Sequence, residues 1–192
     1  MNTQEHFQST ETKQISLNAS ETIHLERPKA GEYIEISIKT GVIRIGADEE
    51  NNARDLTLAF ACKADNCEFS YPHKLDIKVE ALTDTIYIVR HINGTKAKGR
   101  DTIFDWVIQL HIVRQEVNLE NRLMKLFYLL VTRLGKRTAR GLLLEHTLSH
   151  ARIAEIVGST RSTISRTISM LKKTERIYID DLKDQLILPA ED

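Results

Sequence analysis

The apolar residues of this 192-residue chain change period once, close to Gly99. Before that point they recur at every second position. Ile34, Ile36 and Ile38 alternate with Glu35 and Ser37, and Ile43 and Ile45 flank Arg44. Leu56, Leu58 and Phe60 alternate with Thr57 and Ala59. Leu75, Ile77, Val79 and Ala81 alternate with Asp76, Lys78 and Glu80, and Ile86 and Ile88 bracket Tyr87. A period of two places one side-chain row on a core and the other toward water, so these are half-buried strands. Turn signals separate them at Lys29-Ala30-Gly31, Thr40-Gly41, Asp48 to Asn52 and Tyr71-Pro72. Many short strands at near-regular spacing predict an antiparallel sandwich or roll over residues 1–99.

After Gly99 the spacing becomes three and four. Ile103, Trp106, Val107, Leu110, Val113 and Val117 predict an amphipathic helix over residues 100–117. Asn118 can cap a second helix carrying Leu123, Leu126, Phe127, Leu130, Val131 and Leu134, which stops at Gly135. A basic loop from Lys136 to Arg140 and a strand-like Leu142-Leu143-Leu144 follow. The fold class is therefore α+β, with a β-rich half and then a helical half.

Composition excludes several classes. Charged residues make up 28% of the chain with zero net charge, and 41% is hydrophobic, which is a globular composition and not a disordered one. Two cysteines cannot build a disulfide framework or ligate an iron–sulfur cluster or zinc by themselves. No apolar run reaches the roughly 18–20 residues of a membrane span. The polar start from Met1 to Gln14 has no leader pattern. The expectation is a cytoplasmic protein with no membrane partner.

The zero net charge hides an asymmetry. The window from Arg114 to Lys173 holds 12 basic and 4 acidic residues. Such a half is suited to a polyanion. Within it, Leu148 to Lys173 reads as two short helices and a turn. Ser149 can cap the first helix, Ile153 and Val157 give it an inner face, and Ala154 leaves room for a close neighbour. Gly158 permits a tight turn, Thr160 starts the second helix, and Ile164, Ile168 and Leu171 form its buried stripe. That is a helix-turn-helix layout. Arg161, Ser162, Ser165, Arg166 and Ser169 lie off the apolar stripe. The guanidinium fork can pair with O6 and N7 of guanine, and the hydroxyls of Thr160, Thr163 and Ser165 can reach phosphates or base edges. Ile177, Ile179, Leu186 and Leu188, around the turn-like Asp180-Asp181, predict two strands forming a wing.

Leu148-Ser149, Ile153-Ala154, Gly158 and then Arg161-Ser162-Thr163-Ile164-Ser165-Arg166 resemble the signature of the Crp/Fnr family of bacterial transcription regulators. Gly158 to Arg161 and Arg140-Gly141-Leu142 are most similar to the cyanobacterial global nitrogen regulator branch of that family. The close resemblance covers about residues 118–190. The N-terminal half matches in outline, through Ala30-Gly31-Glu32 and Thr40 to Ile45.

The resemblance implies a cyclic-nucleotide-binding-like jelly roll over 1–99, a dimerisation helix over 100–117 and a winged helix-turn-helix over 118–192. It implies that Arg161 and Arg166 read bases, and that Ser149, His150, Thr160 and Thr163 hold phosphates. Ser162 stands where many members carry a Glu, and serine cannot reproduce an acceptor-only carboxylate. The target should differ accordingly. Ile103, Trp106, Val107, Leu110, Val113 and Val117 would pair with a second copy. Double-stranded DNA, a second copy of the chain, and RNA polymerase or a co-regulator are the implied partners.

Nucleotide-binding members use a Phe-Gly-Glu segment and a later Arg-Ser/Thr pair. The corresponding stretch here, Asn66 to Lys74, has neither. The expectation is a non-enzymatic regulator without a cofactor or a standard cyclic-nucleotide effector. A sensor of cAMP or 2-oxoglutarate, and a protein-interaction module that has lost DNA binding, are the alternatives. Cys62 and Cys67 are read as small half-buried residues, and His146 and His150 straddle a helix start with no third ligand, so no metal site and no catalytic residue is expected.

Overall fold

The computed structural model describes residues 9–49, 52–65, 67–94 and 101–189. The expected boundary at residue 99, together with Arg100 and Asn66, lies outside the described residues. The chain divides into two compact units, Met1–Trp106 and Val107–Asp192.

Among the described residues, the first unit is an antiparallel roll of two four-stranded sheets. One sheet has the order β1 (Ser9–Leu17), β8 (Thr85–Asn93), β3 (Glu32–Thr40), β6 (Cys67–Phe69). The other has the order β2 (Thr22–His24), β7 (Leu75–Ala81), β4 (Val42–Glu49), β5 (Asn52–Cys62). The alternating rows behave as their period requires. Ile34, Ile36, Ile43, Ile45, Ile77, Val79 and Tyr87 are buried and form the core. Gly41, at φ +85°, makes the β3–β4 turn, and a side chain there would collide with Thr85 Oγ1 and the Asp84 carbonyl.

The sequence pattern misses β1, β2 and β6, and each is an edge strand of its sheet. Edge strands are short or polar because their open side must resist pairing with another chain. β2 and β6 have three residues each. β1 is polar from Ser9 to Gln14 and has only Ile15 and Leu17 as apolar residues, so its alternation is faint.

The outer face of the second sheet holds a buried charge network. Arg44 is 1% exposed. Its Nε donates to Glu80 at 2.5 Å and its Nη2 to both oxygens of Asp55 at 2.9 and 3.0 Å. Nη1 reaches Thr57 Oγ1 and the Leu56 carbonyl, each at 3.3 Å. A side chain on Gly46 would press on that guanidinium. A buried cation is tolerated when its donors are satisfied this fully.

Phe60 is the register partner of Arg44 and emerges on the same face. It meets Trp106 edge-on, with ring centroids 5.3 Å apart. Trp106 lies on α1 (Thr102–Arg114), where Asp101 Oδ1 accepts from the amide of Phe104 at 3.0 Å and so caps the helix start. The same carboxylate accepts from Ser70 N at 2.8 Å through Oδ2, and Thr102 Oγ1 accepts from Glu68 N at 3.1 Å. The start of α1 is thus fastened to the β6 strand and the loop after it.

These contacts correct the expected pairing stripe. Ile103, Trp106, Leu110 and Val113 are buried within the chain itself and are not available to a second copy. The exposed apolar residues of α1 are Phe104, Val107, Ile108 and Ile112. Val117 is exposed too, but it follows the helix, which ends at Arg114. The physical reason is that α1 is apolar around most of its circumference. Sequence spacing shows such a helix without showing which side faces in.

The second unit contains α2 (Leu119–Leu134), capped by Asn118 Oδ1 accepting from Asn121 N at 2.8 Å. Leu123, Leu126, Phe127, Leu130 and Val131 are its buried face. The stretch read as a basic loop is partly a strand, β9 (Lys136–Thr138), paired with β10 (Gly141–Leu144). With β11 (Tyr178–Asp180) and β12 (Gln185–Leu188) they make a sheet of order β11-β12-β10-β9. All three β9 residues are exposed, so no buried row announces it. Among the described residues no helix is long and apolar enough to cross a membrane.

Trp106→Ala should lower the unfolding free energy by about 3–5 kcal/mol, the usual cost of emptying a buried aromatic site. Denaturant unfolding of the full chain measures this. A loss below about 1 kcal/mol would contradict a core role for this indole.

Candidate nucleic-acid interface

Two helices in the second unit carry the site. α3 (His150–Val157) begins at Ser149, whose Oγ accepts from Arg152 N at 3.2 Å. It ends at Gly158, in the left-handed region at φ +68°. Ile153, Ala154, Ile156 and Val157 are its buried face. α4 (Arg161–Lys173) begins at Thr160, whose Oγ1 accepts from Thr163 N at 3.2 Å. Ile164, Ile168 and Leu171 are its buried stripe.

With that stripe inward, the opposite side of α4 is fixed. Arg161, Ser162, Arg166 and Ser169 are exposed, and Thr163 and Ser165 are half-buried beside them. Among the described residues neither Arg161 nor Arg166 makes an ion pair. Arg166 Nε rests 3.4 Å from the Ser162 carbonyl, one turn back on its own helix. Two guanidinium forks are therefore presented to solvent with their donors largely unused. The hydroxyls are more committed. Thr160 Oγ1 lies 3.0 Å from Ser162 Oγ and 2.9 Å from Thr163 Oγ1, and Ser169 Oγ donates to the Ser165 carbonyl at 2.9 Å. Ser149 is exposed, and His150 is half-buried at the first position of α3.

Sequence reasoning missed the arginines that hold this geometry. Arg114 donates to the carbonyls of Ile156 and Glu155, both at 2.6 Å. Arg122 donates to the Val157 carbonyl at 3.3 Å and to that of Glu116 at 2.8 Å. The last carbonyls of a helix have no partner within it, and here side chains from outside supply donors. The turn between α3 and α4 is pinned from below. The signal was present as positive charge, but charge alone does not distinguish a cap from a polyanion contact.

The charge excess is accordingly smaller than the sequence count. Lys125 pairs with Glu116 at 2.5 Å, Lys136 with Glu145 at 2.6 Å and Lys172 with Asp181 at 3.4 Å. Among the described residues, Arg137, Arg140, Arg161, Arg166 and Lys173 are the basic side chains of the window with neither an ion pair nor a helix end to cap.

Residues 121–189 match the family of Crp-like helix-turn-helix domains. They form a Crp-like helix-turn-helix domain. Beyond that domain the likeness is one of fold. Over 93% of this chain and 92% of the other, the structure resembles TTHB099, a CRP-family transcriptional regulator from Thermus thermophilus (TM-score 0.62, 17% identity). FixK2 from Bradyrhizobium japonicum superposes with a TM-score of 0.61 at 20% identity, covering 92% of both chains. The c-di-GMP-responsive regulator CLP from Xanthomonas campestris gives 0.60 at 12% identity, covering 94% of this chain and 95% of its own. No curated protein sequence matches the chain. An N-terminal antiparallel roll followed by a Crp-like domain is thus the architecture of solved CRP/FNR regulators.

The remaining candidates have structural places. Cys67 is buried, and desolvation pushes its thiol up to about 12, so it stays protonated at neutral pH. Cys62 is half-buried at the end of β5. Among the described residues no three His, Cys, Asp or Glu side chains gather as metal ligands.

His146 is buried in the Crp-like domain, and its Nε2 has no hydrogen-bond partner. Burial lowers its pKa to about 4, against the opposing pull of Asp184 and Glu145. The unfolded chain therefore takes up a proton first as the pH falls through about 6.5. The domain should lose stability between about pH 6.5 and 4, by on the order of 3 kcal/mol, and show no dependence from this group above that range. Denaturant unfolding at pH 7 and pH 5 reads the effect, and His146→Leu should flatten the slope. An identical slope in the variant would assign the pH dependence elsewhere.

Proposed function

We propose that this chain is a sequence-specific DNA-binding transcription regulator of the Crp/Fnr type. It binds pseudo-palindromic operators as a homodimer and needs no standard cyclic-nucleotide effector. One observation carries the reading: α4 buries one face completely and turns two arginines without ion pairs outward from the other. A helix of this kind enters the major groove with its N-terminal residues on base edges. Arg161 and Arg166 read guanines, with Ser162 and Ser165 between them on the same side. Ser149, His150, Thr160 and Thr163 hold phosphates and set the register. Helix N-termini suit that role, and both α3 and α4 begin among these residues.

Homodimerisation uses the outward face of α1. Phe104 is 66% exposed, and Val107, Ile108 and Ile112 are about 40% exposed along one helix. That is more apolar surface than a solvated helix ordinarily shows. The pairing residues are therefore revised to these four, with Val107 kept from the sequence-based stripe. The sequence from Asn66 to Lys74 lacks the Gly-Glu and Arg-Ser/Thr pairs of nucleotide-binding rolls, which supports action without cyclic nucleotides. The protein acts by binding, in the cytoplasm, with RNA polymerase or a co-regulator as its downstream partner. The likeness of Arg140 to Leu142 and Gly158 to Arg161 to the nitrogen regulator supports a place near that branch.

Selection from random duplex DNA, with no added ligand, tests the proposal. The native protein should enrich a two-fold pseudo-palindrome with a G in each half-site, its centres one helical turn of about 34 Å apart. Ile108→Glu should enrich isolated half-sites or nothing. No enrichment by the native protein would overturn DNA reading, and an unchanged palindrome with Ile108→Glu would overturn the α1 interface.

A further inference from the structure

The Crp-like domain contains a cleft beside the proposed DNA-contact residues, with Ser149 and His150 on its rim. It has a volume of about 310 Å³ and opens between α4, the start of α3 and the wing. Its floor is apolar: Phe127 and Leu130 of α2, Ile153 of α3, Ile168 of α4 and Leu186 of β12. All five are among the buried residues of the domain, so the cleft reaches into the core. Protein interiors leave few voids larger than a water molecule, whereas small-molecule pockets begin at about 300 Å³ and combine an apolar lining with a few polar groups. This cleft has the second character.

Its mouth is polar and carries one cation. His150, Lys172 and Asp181 line it. Lys172 Nζ reaches across to Asp181 Oδ2 at 3.4 Å, a long contact between a lysine and a carboxylate that is 82% exposed. Such a pair is weakly held and easily exchanged. The hydroxyl of Thr147, also at the edge, is already bonded to Asp184.

We propose that this cleft is a binding site for a small apolar monocarboxylate, of the size of a medium-chain fatty acid. The hydrocarbon body lies on the five-residue floor. The carboxylate replaces Asp181 as the partner of Lys172, one anion for another, while the displaced aspartate stays in water. A single ammonium suits a single negative charge and leaves a phosphate dianion half neutralised. A cationic head would have to sit against Lys172 itself. The cleft shares Ser149 and His150 with the proposed phosphate contacts, but its apolar floor and Lys172 have no part in them.

Octanoate is the probe, added to the full-length protein and followed by calorimetry and by the methyl NMR signals of Leu130, Ile153 and Ile168. One equivalent should bind saturably, with those three methyl groups shifting together. Octylammonium, with the same tail and the opposite charge, should not compete. Lys172→Glu, a surface change, should weaken octanoate at least tenfold and leave the unliganded methyl spectrum in place. No saturable binding, equal binding of both heads, undiminished binding to Lys172→Glu, or shifts confined to the outward face of α1 would each overturn the site. The site-selection experiment reads DNA binding without octanoate, so either result can fail while the other holds.

Discussion

Burial of Ile164, Ile168 and Leu171 determines what the second unit can present to a partner. Those three side chains fix the rotation of α4 about its own axis. Once they are inside, Arg161 and Arg166 have only the solvent side to occupy. The chemistry of the exposed face of α4 is thus a consequence of core packing. Helix dipoles, caps and loop geometry refine it: Thr160 sets where α4 begins, and Gly158 sets the angle at which the chain enters it. Arg114 and Arg122 then hold the end of α3 by its carbonyls, so the two helices meet in one arrangement. Much of the positive charge of this half is spent on building the site, and a smaller part faces outward from it.

α1 follows the same logic with the opposite legibility. Its inward side is chosen by Trp106 on Phe60, a contact between residues 46 positions apart. Nothing in the local spacing of α1 encodes that choice, because apolar residues surround the helix. The sequence therefore shows a helix and an apolar surplus without showing which residues face inward. Ile103, Trp106, Leu110 and Val113 serve the chain's own core, and Phe104, Val107, Ile108 and Ile112 carry the exposed surplus.

The same contrast runs through the roll. Central strands such as β3, β4 and β7 are legible because alternation is enforced by a core on one side. β1, β2 and β6 are not, because β2 and β6 have three residues each and β1 is mostly polar, whereas β5, also at an edge, keeps its alternation. The helix-turn-helix was legible to the level of caps, since Ser149, Gly158 and Thr160 each act through local backbone geometry. What was not legible is whatever depends on distant contact: the Arg44 network, the arginine caps on α3, and the cleft beside the wing, whose floor comes from three helices and a strand.

Base reading by α4 through its arginines is what the proposed function stands on. Its most direct test is the affinity of the native protein and of Arg166→Ala for one operator in which each half-site position is varied through all four bases. The account predicts that Arg166→Ala loses about 1–3 kcal/mol of discrimination at a single position per half-site and keeps its preferences elsewhere. A uniform loss of affinity across every sequence would make Arg166 a phosphate contact, and an unchanged profile would remove it from the interface; either result contradicts the account.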